Sequence, residues 1–159
     1  MKDDVQLLIF ISRFDNRNVY FGIPMEQVQE ISCMVDIIRI PRALDFMVGM
    51  IKLRDDMIPV IDLKNKFSLD DEIMNHKNSK IIVFEINGNK TGLIVDELSE
   101  VLRVPVDAIQ ISSATSIMSL PYFHGMVKID NRIIIVLDLS KILSENEEKI
   151  LLNMNLLCV

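Results

Sequence analysis

GMIKLRDDMIPVIDLKNKF, residues 49–67, is answered by GMVKIDNRIIIVLDLSKIL, residues 125–143. Gly, Met, Lys, Ile, Val, Asp and Leu recur in register, and many of the other positions exchange one aliphatic residue for another. Each copy reads as two apolar runs around a short polar tip, the pattern of a β-hairpin. A weaker echo lies upstream of each copy: residues 20–31 read YFGIPMEQVQEI and residues 90–101 read KTGLIVDELSEV. Both place a glycine in a strand-like run and follow it with an acidic, amphipathic stretch. One unit of about half the chain therefore occurs twice, a period too long for a solenoid. The repeat predicts two copies of one small barrel or sheet.

Composition narrows the class. A chain of 159 residues suits one domain or two small subdomains sharing a core. Half of the residues are hydrophobic, which supports burial and argues against disorder. The net charge of −6 makes the chain a poor non-specific ligand for nucleic acid, because phosphate affinity comes from clustered Lys and Arg. Cys33 and Cys158 stand far apart without metal-type spacing and read as reduced thiols. The N-terminus, MKDDVQ, is acidic where a signal peptide is basic, and no apolar run reaches the length of a membrane span. These features predict a cytoplasmic protein with no direct membrane insertion.

Along the chain, residues 5–12 and 19–23 form strands around a turn at residues 15–18. Met25, Val28 and Ile31 recur at three-residue spacing, which fits a short helix or a twisted strand. A short strand over 37–40 ends at Pro41. Strands over 47–53 and 57–63 meet at Arg54, Asp55 and Asp56, and Pro59 predicts an edge or a bulge in the second of them. Residues 65–79 form the long polar segment between the copies. In the second copy, 80–86 and 90–96 flank Asn87-Gly88-Asn89, a strong hairpin signal. The acidic stretch returns over 96–103, a short strand is expected over 108–111 and a loop over 112–119. Residues 122–129 and 132–137 form a hairpin over Asp130 and Asn131, and 140–154 has helix-forming composition. The expected fold is all-β, two copies of one small barrel or sheet with a C-terminal helix. The first subdomain spans 13–67, the linker 68–79, the second 80–139 with the N-terminal strand shared, and the helix 140–154.

Signs of chemistry are missing. His76 and His124 have no Cys or second His at ligand spacing, and a zinc site needs three or four converging ligands. There is no nucleophile elbow, P-loop or dinucleotide-binding glycine motif. No metal, cofactor or catalytic residue is expected. Ten methionines supply flexible apolar filling, most of it for core, with some available to line a groove that accepts helical partners.

The residues Y20-F-G-I-P-M-E-Q-V-Q-E-I31, I40-P41, F46-M-V-G-M-I-K-L-R54, I58-P-V-I-D-L63 and F67 resemble the CheW adaptor family of bacterial chemotaxis. The second half agrees through G92-L-I-V-D96, V101-L102, G125, I134-I-V-L-D-L139 and K141-I-L143. The resemblance implies two five-stranded, SH3-like β-barrel subdomains packed on a shared apolar core, and a non-enzymatic scaffold. It also implies two partners, the cytoplasmic hairpin tip of methyl-accepting chemoreceptors and the regulatory domain of the histidine kinase CheA. By the same resemblance, Val28 and Val101 fall on receptor-binding positions in a groove between the barrels; the repeat is read as placing them at corresponding places in the two copies. Glu30 and Arg54 match an acid and a base whose pairing matters for kinase coupling, and Gly49 matches a glycine near that contact. Each has a plainer reading: core for the valines, a solvated surface pair for Glu30 and Arg54. The chain departs from the family where Asn-Leu-Arg-Gly is usual. Lys52-Leu53-Arg54-Asp55 replaces both the Asn and the Gly, which narrows the backbone available at that turn.

Two other readings compete. One is the front part of a longer CheW-type regulator ending in a receiver domain, against which the end at Val159 counts. The other, from a different class, is a small β-barrel enzyme or ligand-binding protein, which a buried polar pocket would favour.

Overall fold

The apolar runs become strands in a computed structural model that describes residues 3–14, 16–39, 47–63, 79–111 and 121–144, together with Glu147 and Lys149. In chain order the strands are β1 (Asp4–Phe14), β2 (Arg17–Pro24), β3 (Glu30–Cys33), β4 (Ile37–Ile38), β5 (Met47–Leu53) and β6 (Asp56–Asp62). They continue with β7 (Lys80–Ile86), β8 (Asn89–Val95), β9 (Glu97–Pro105), β10 (Phe123–Ile129) and β11 (Arg132–Leu137). The described chain is mostly β-sheet, with 3-10 turns at Met25–Gln27, Val106–Ala108 and Leu139–Lys141.

Two sheets form. The first has five strands in the order β10-β11-β2-β1-β9, and the second has six in the order β3-β7-β8-β6-β5-β4. The sequence repeat survives in the pairing, but the sheets do not follow the halves of the chain. Hairpin β1–β2 of the first copy joins hairpin β10–β11 of the second through a parallel pairing of Val136 with Gly22. Hairpin β7–β8 of the second copy joins β5–β6 of the first through the equivalent pairing of Val60 with Gly92. Each unit thus lends its first hairpin to the other. The division expected at 13–67 and 80–139 follows the repeat, whereas the second sheet is one contiguous stretch, β3 to β8, set between β2 and β9 of the first.

The core explains why the apolar runs are continuous rather than alternating. Leu7 and Ile9 of β1 enter a cluster with Val104, Val127, Ile134 and Val136 that belongs to the first sheet alone. Leu8 and Phe10, on the opposite face, enter a larger cluster drawn from both sheets, which includes Phe21, Met50, Ile61, Phe84, Leu93 and Leu137. A third cluster, with Val48, Ile51, Ile58, Val60, Ile81 and Val83, belongs to the second sheet alone. A strand covered on both faces must be apolar on both, so period-two alternation disappears.

The tight turns hold at the expected places. Asn87 and Gly88 take φ of 50° and 83°, and Asp130 and Asn131 take 49° and 65°. Both are two-residue loops with positive φ at each central position, which matches the right-handed twist of the flanking strands. The acidic stretch of the second copy is strand β9, paired with β1 along its length. Two local expectations are corrected. The expected strand at 108–111 is a 3-10 turn, Val106–Ala108, followed by a single bridge from Gln110 to Met126. Pro59 lies in a strand paired on both sides, not at an edge. It sits opposite Met50, just before the β8 ladder begins at Val60, so β8 requires no N–H from it. The linker 68–79 lies outside the described residues except for Ser79, which is buried, as do residues 112–119 and His76 and Cys158. The helix expected over 140–154 is not seen as such: its first residues belong to the 3-10 turn Leu139–Lys141, residues 142–144 are not helical, Glu147 and Lys149 are helical, and the rest lies outside the described residues.

Candidate partner-binding surfaces

The β5–β6 turn carries Arg54, and β3 carries Glu30. The two meet in a fork: Arg54 Nη1 donates to Glu30 Oε1 at 3.2 Å, and Nη2 donates to Oε2 at 3.1 Å. Glu30 stands opposite Val83, on the face that holds the second sheet's own cluster, so the pair caps the end of that cluster. The planar guanidinium suits this two-point contact, which a lysine could not make. The Arg54 side chain remains 73% exposed, so the pair itself adds at most about 1 kcal/mol to stability. Its value lies in presenting a fixed charge at a hairpin tip. Arg54 reaches it with φ of 57°, whereas Asp55, which stands where the family has glycine, does not take a positive φ. Asp56 and Lys90 pair beside it at 3.1 Å, tying the β5–β6 hairpin to β8. The sequence reading did not single out this second pair.

Gly49 is buried in β5, at a shift in the β5–β6 register. A Cβ there would collide with the carbonyl oxygen of Ile38 and lie 2.8 Å from Ile37 Cγ2. Gly125 repeats the arrangement, where a Cβ would lie 2.8 Å from the carbonyl oxygen of Gln110. The geometry therefore supplies a packing reason for Gly49: β4 closes over it.

Val28 follows the 3-10 turn Met25–Gln27 and donates its N–H to Met25 O at 3.1 Å. It is partly buried and packs on the cluster shared by both sheets. Val101 lies on β9 opposite Leu8, a member of the same cluster, yet is 50% exposed because β9 is the edge of its sheet. Both valines thus border the junction between the sheets. They do not occupy corresponding places, as the sequence reading had it. In the repeat, Val28 aligns with Leu98 and Val101 with Ile31. The structure agrees with that alignment. Val28 and Leu98 both pack on the shared cluster, whereas Ile31 and Val101 are both exposed, at 41% and 50%.

The same alignment exposes a site the sequence reading missed. Glu30 has Glu100 as its counterpart, and Glu100 also pairs with an arginine beside a hairpin turn. Arg132 Nη2 donates to Glu100 Oε1 at 2.7 Å, and its guanidinium lies 5.0 Å above the centre of the Tyr20 ring. The repeated Gln/Ser-Glu-Ile/Val triplet would have pointed to it.

The junction is also latched from one side. Gln27 Nε2 donates to Asp138 Oδ1 at 2.7 Å, and the N–H of Leu139 donates back to Gln27 Oε1 at 2.8 Å. Burial pushes the Asp138 carboxyl up, but hydrogen bonds from Ser140 and Gln27 and the nearby Lys141 charge outweigh it and hold the group below its ordinary value.

Comparisons with known proteins agree with this geometry. Residues 10–147 match the model of a family described as the CheW-like domain. A chemotaxis protein CheW of Klebsiella aerogenes is 30% identical over 131 residues, covering 82% of this chain and 78% of that protein. A chemotaxis protein CheW of Treponema pallidum is 28% identical over 138 residues, covering 84% and 81%. Among solved structures, the scaffolding protein TtCheW of Thermoanaerobacter tengcongensis superposes with a TM-score of 0.79 at 31% identity, covering 92% of each chain. A repeat folded into two interlocked sheets, with a match over most of its length, establishes that the chain belongs to the CheW-like domain family.

Proposed function

We propose that this protein is a non-enzymatic chemotaxis adaptor that couples the cytoplasmic tips of chemoreceptors to the regulatory domain of the kinase CheA. In this reading the two sheets are the two SH3-like barrels of the family, the protein is cytoplasmic, and it reaches receptor arrays through its partners. Among the described residues, no helix is long and apolar enough to cross a membrane. The observation that supports the proposal is the presence of two unlike surface features on one fold, one apolar and one charged. Val28 and Val101 border an apolar junction suited to helical side chains, while Glu30 and Arg54 present a fixed charged fork at a hairpin tip. A scaffold needs such separable contacts, because both partners must bind at once.

Val101 is the better probe of the receptor surface, since its exposure lets a charge be introduced without unpacking the core. Val101→Asp should weaken binding of a receptor hairpin fragment by about 2 kcal/mol or more and leave the kinase domain bound, because an unpaired carboxylate would be driven into an apolar contact. Arg54→Glu should do the reverse. Calorimetry on both variants with both partners is the test. If each variant loses both partners with its fold intact, or neither, the two-surface reading is wrong.

A further inference from the structure

Three observations converge on β9. It is an edge strand, paired on one side only, with β1. Its ladder is irregular between the partners Glu100 and Leu98, next to Val101. Such a segment has little of its own to hold one exposed side chain in place. The third observation is that Glu100, the residue before Val101, is bound to Arg132 at the start of β11. In the sheet order, β2 and β1 lie between β11 and β9. Three strand spacings come to about 14 Å on a flat sheet, so the 2.7 Å contact joins two long side chains that reach toward each other across β2 and β1.

The faces are consistent with a clamp. Glu100 stands opposite Ile9, and Arg132 lies two residues before Ile134, so both belong to the face of the first sheet's own cluster. Tyr20, packed on that cluster, lies under the Arg132 guanidinium. Val101 points to the other face, toward the junction. A contact on the inner face therefore sets the position of a residue on the outer one.

We propose that Glu100 and Arg132, seated on Tyr20, are positioning residues for the receptor-facing surface: they clamp edge strand β9 to β11 and so fix Val101 at the sheet junction. The inference rests on Val101 being a receptor contact. It assigns the pair no direct contact with receptor. The second sheet holds the same device, with Glu30 clamped to Arg54 and exposed Ile31 following it in the chain. The repeat unit thus couples one clamped glutamate to one exposed aliphatic residue in both copies.

The test uses the full chain, a purified receptor tip-hairpin fragment and the kinase regulatory domain. Arg132→Met keeps the side-chain stem and removes the charge. It should lower receptor-fragment affinity about tenfold, the scale of coupling within a contacting network, with kinase affinity unchanged. Backbone amide exchange should quicken in β9 while β2 stays protected. The double reversal Glu100→Arg with Arg132→Glu restores the clamp with opposite polarity and should recover most of the receptor affinity that either single reversal loses. Val101→Asp is measured alongside. If Val101→Asp loses receptor but Arg132→Met binds normally, the clamp is overturned and the receptor reading stands. If the double reversal stays as weak as the single ones while β9 protection returns, the receptor reads the charges directly and positioning is overturned. If Val101→Asp binds normally, the receptor reading falls, and the clamp proposal falls with it.

Discussion

Arg54 takes a backbone conformation that its residue type does not favour. Among the described residues, the other non-glycine positions with positive φ are Asn16, Asn87, Asp130 and Asn131, whose short polar side chains tolerate the left-handed region. Arg54 pays about 1 kcal/mol for that region, and its fork to Glu30 offsets part of it. Arg54→Asn should therefore keep the turn and the melting temperature, with a change within about 0.5 kcal/mol, while kinase activation in reconstituted receptor arrays falls. Intact activation would remove Arg54 from the coupling surface, and a collapsed melting temperature would make it structural. Gly49 calls for the opposite expectation. Gly49→Ala forces β4 away from β5 and should cost about 1–3 kcal/mol in chemical denaturation. Any loss of kinase coupling should then track the loss of fold. An alanine variant with wild-type stability would show that β4 gives way without cost, and the role of Gly49 would lie at the partner's surface.

Among the elements, the 3-10 turn Met25–Gln27 does more than connect β2 to β3. Gln27 and Asp138 bond across the junction, so the segment before Val28 is tied to the one after β11. The Asp138 carboxyl is held below its ordinary value, so its folded pKa lies under its unfolded one. The contribution is then fully present above the unfolded carboxyl value of about 3.9 and is lost as pH falls through the folded value. Asp138→Asn should be less stable than the parent chain at neutral pH, and the gap should narrow as acid protonates Asp138. Urea denaturation of both proteins across that range measures it, and a gap that stays constant down to the lowest pH would show that the carboxylate charge contributes nothing. The strands themselves were largely legible: Met47–Leu53 and Lys80–Ile86 match the expected limits. The acidic stretches were not. Two stretches with a shared acidic, amphipathic character became a 3-10 turn with a short strand in one copy and the long strand β9 in the other. The choice depended on the length of the neighbouring strand each could pair with, which spacing does not encode.

For the whole molecule, the exchange of hairpins makes the shared cluster the part on which both sheets depend. Phe10 of the first sheet stacks on Phe21 at 5.4 Å and belongs to the same cluster as Phe84 of the second. Phe10→Ala should cost about 3–5 kcal/mol and lower amide-exchange protection in both sheets together. Val60→Ala, in the cluster private to the second sheet, should leave the first sheet protected under mild denaturation. Equal loss everywhere from both variants would mean that the sheets open as one unit whatever cluster is weakened.

The repeat, the hairpins over Asn87-Gly88 and Asp130-Asn131, and the family resemblance all stand in the amino-acid order, because turn chemistry and apolar runs are local properties. So does the equivalence of Glu30 and Glu100, once residues 20–31 are set against 90–101. Which hairpin joins which sheet was decided by tertiary structure, since a strand with two apolar faces is compatible with either neighbour. The same holds for the partner of Glu100. Arg132 lies 32 residues away, on a strand separated from β9 by two others, and only the order of strands in the sheet puts the two side chains within reach of each other. Burial made the last distinction: two valines alike in sequence became one that packs on the shared core and one left exposed at an edge.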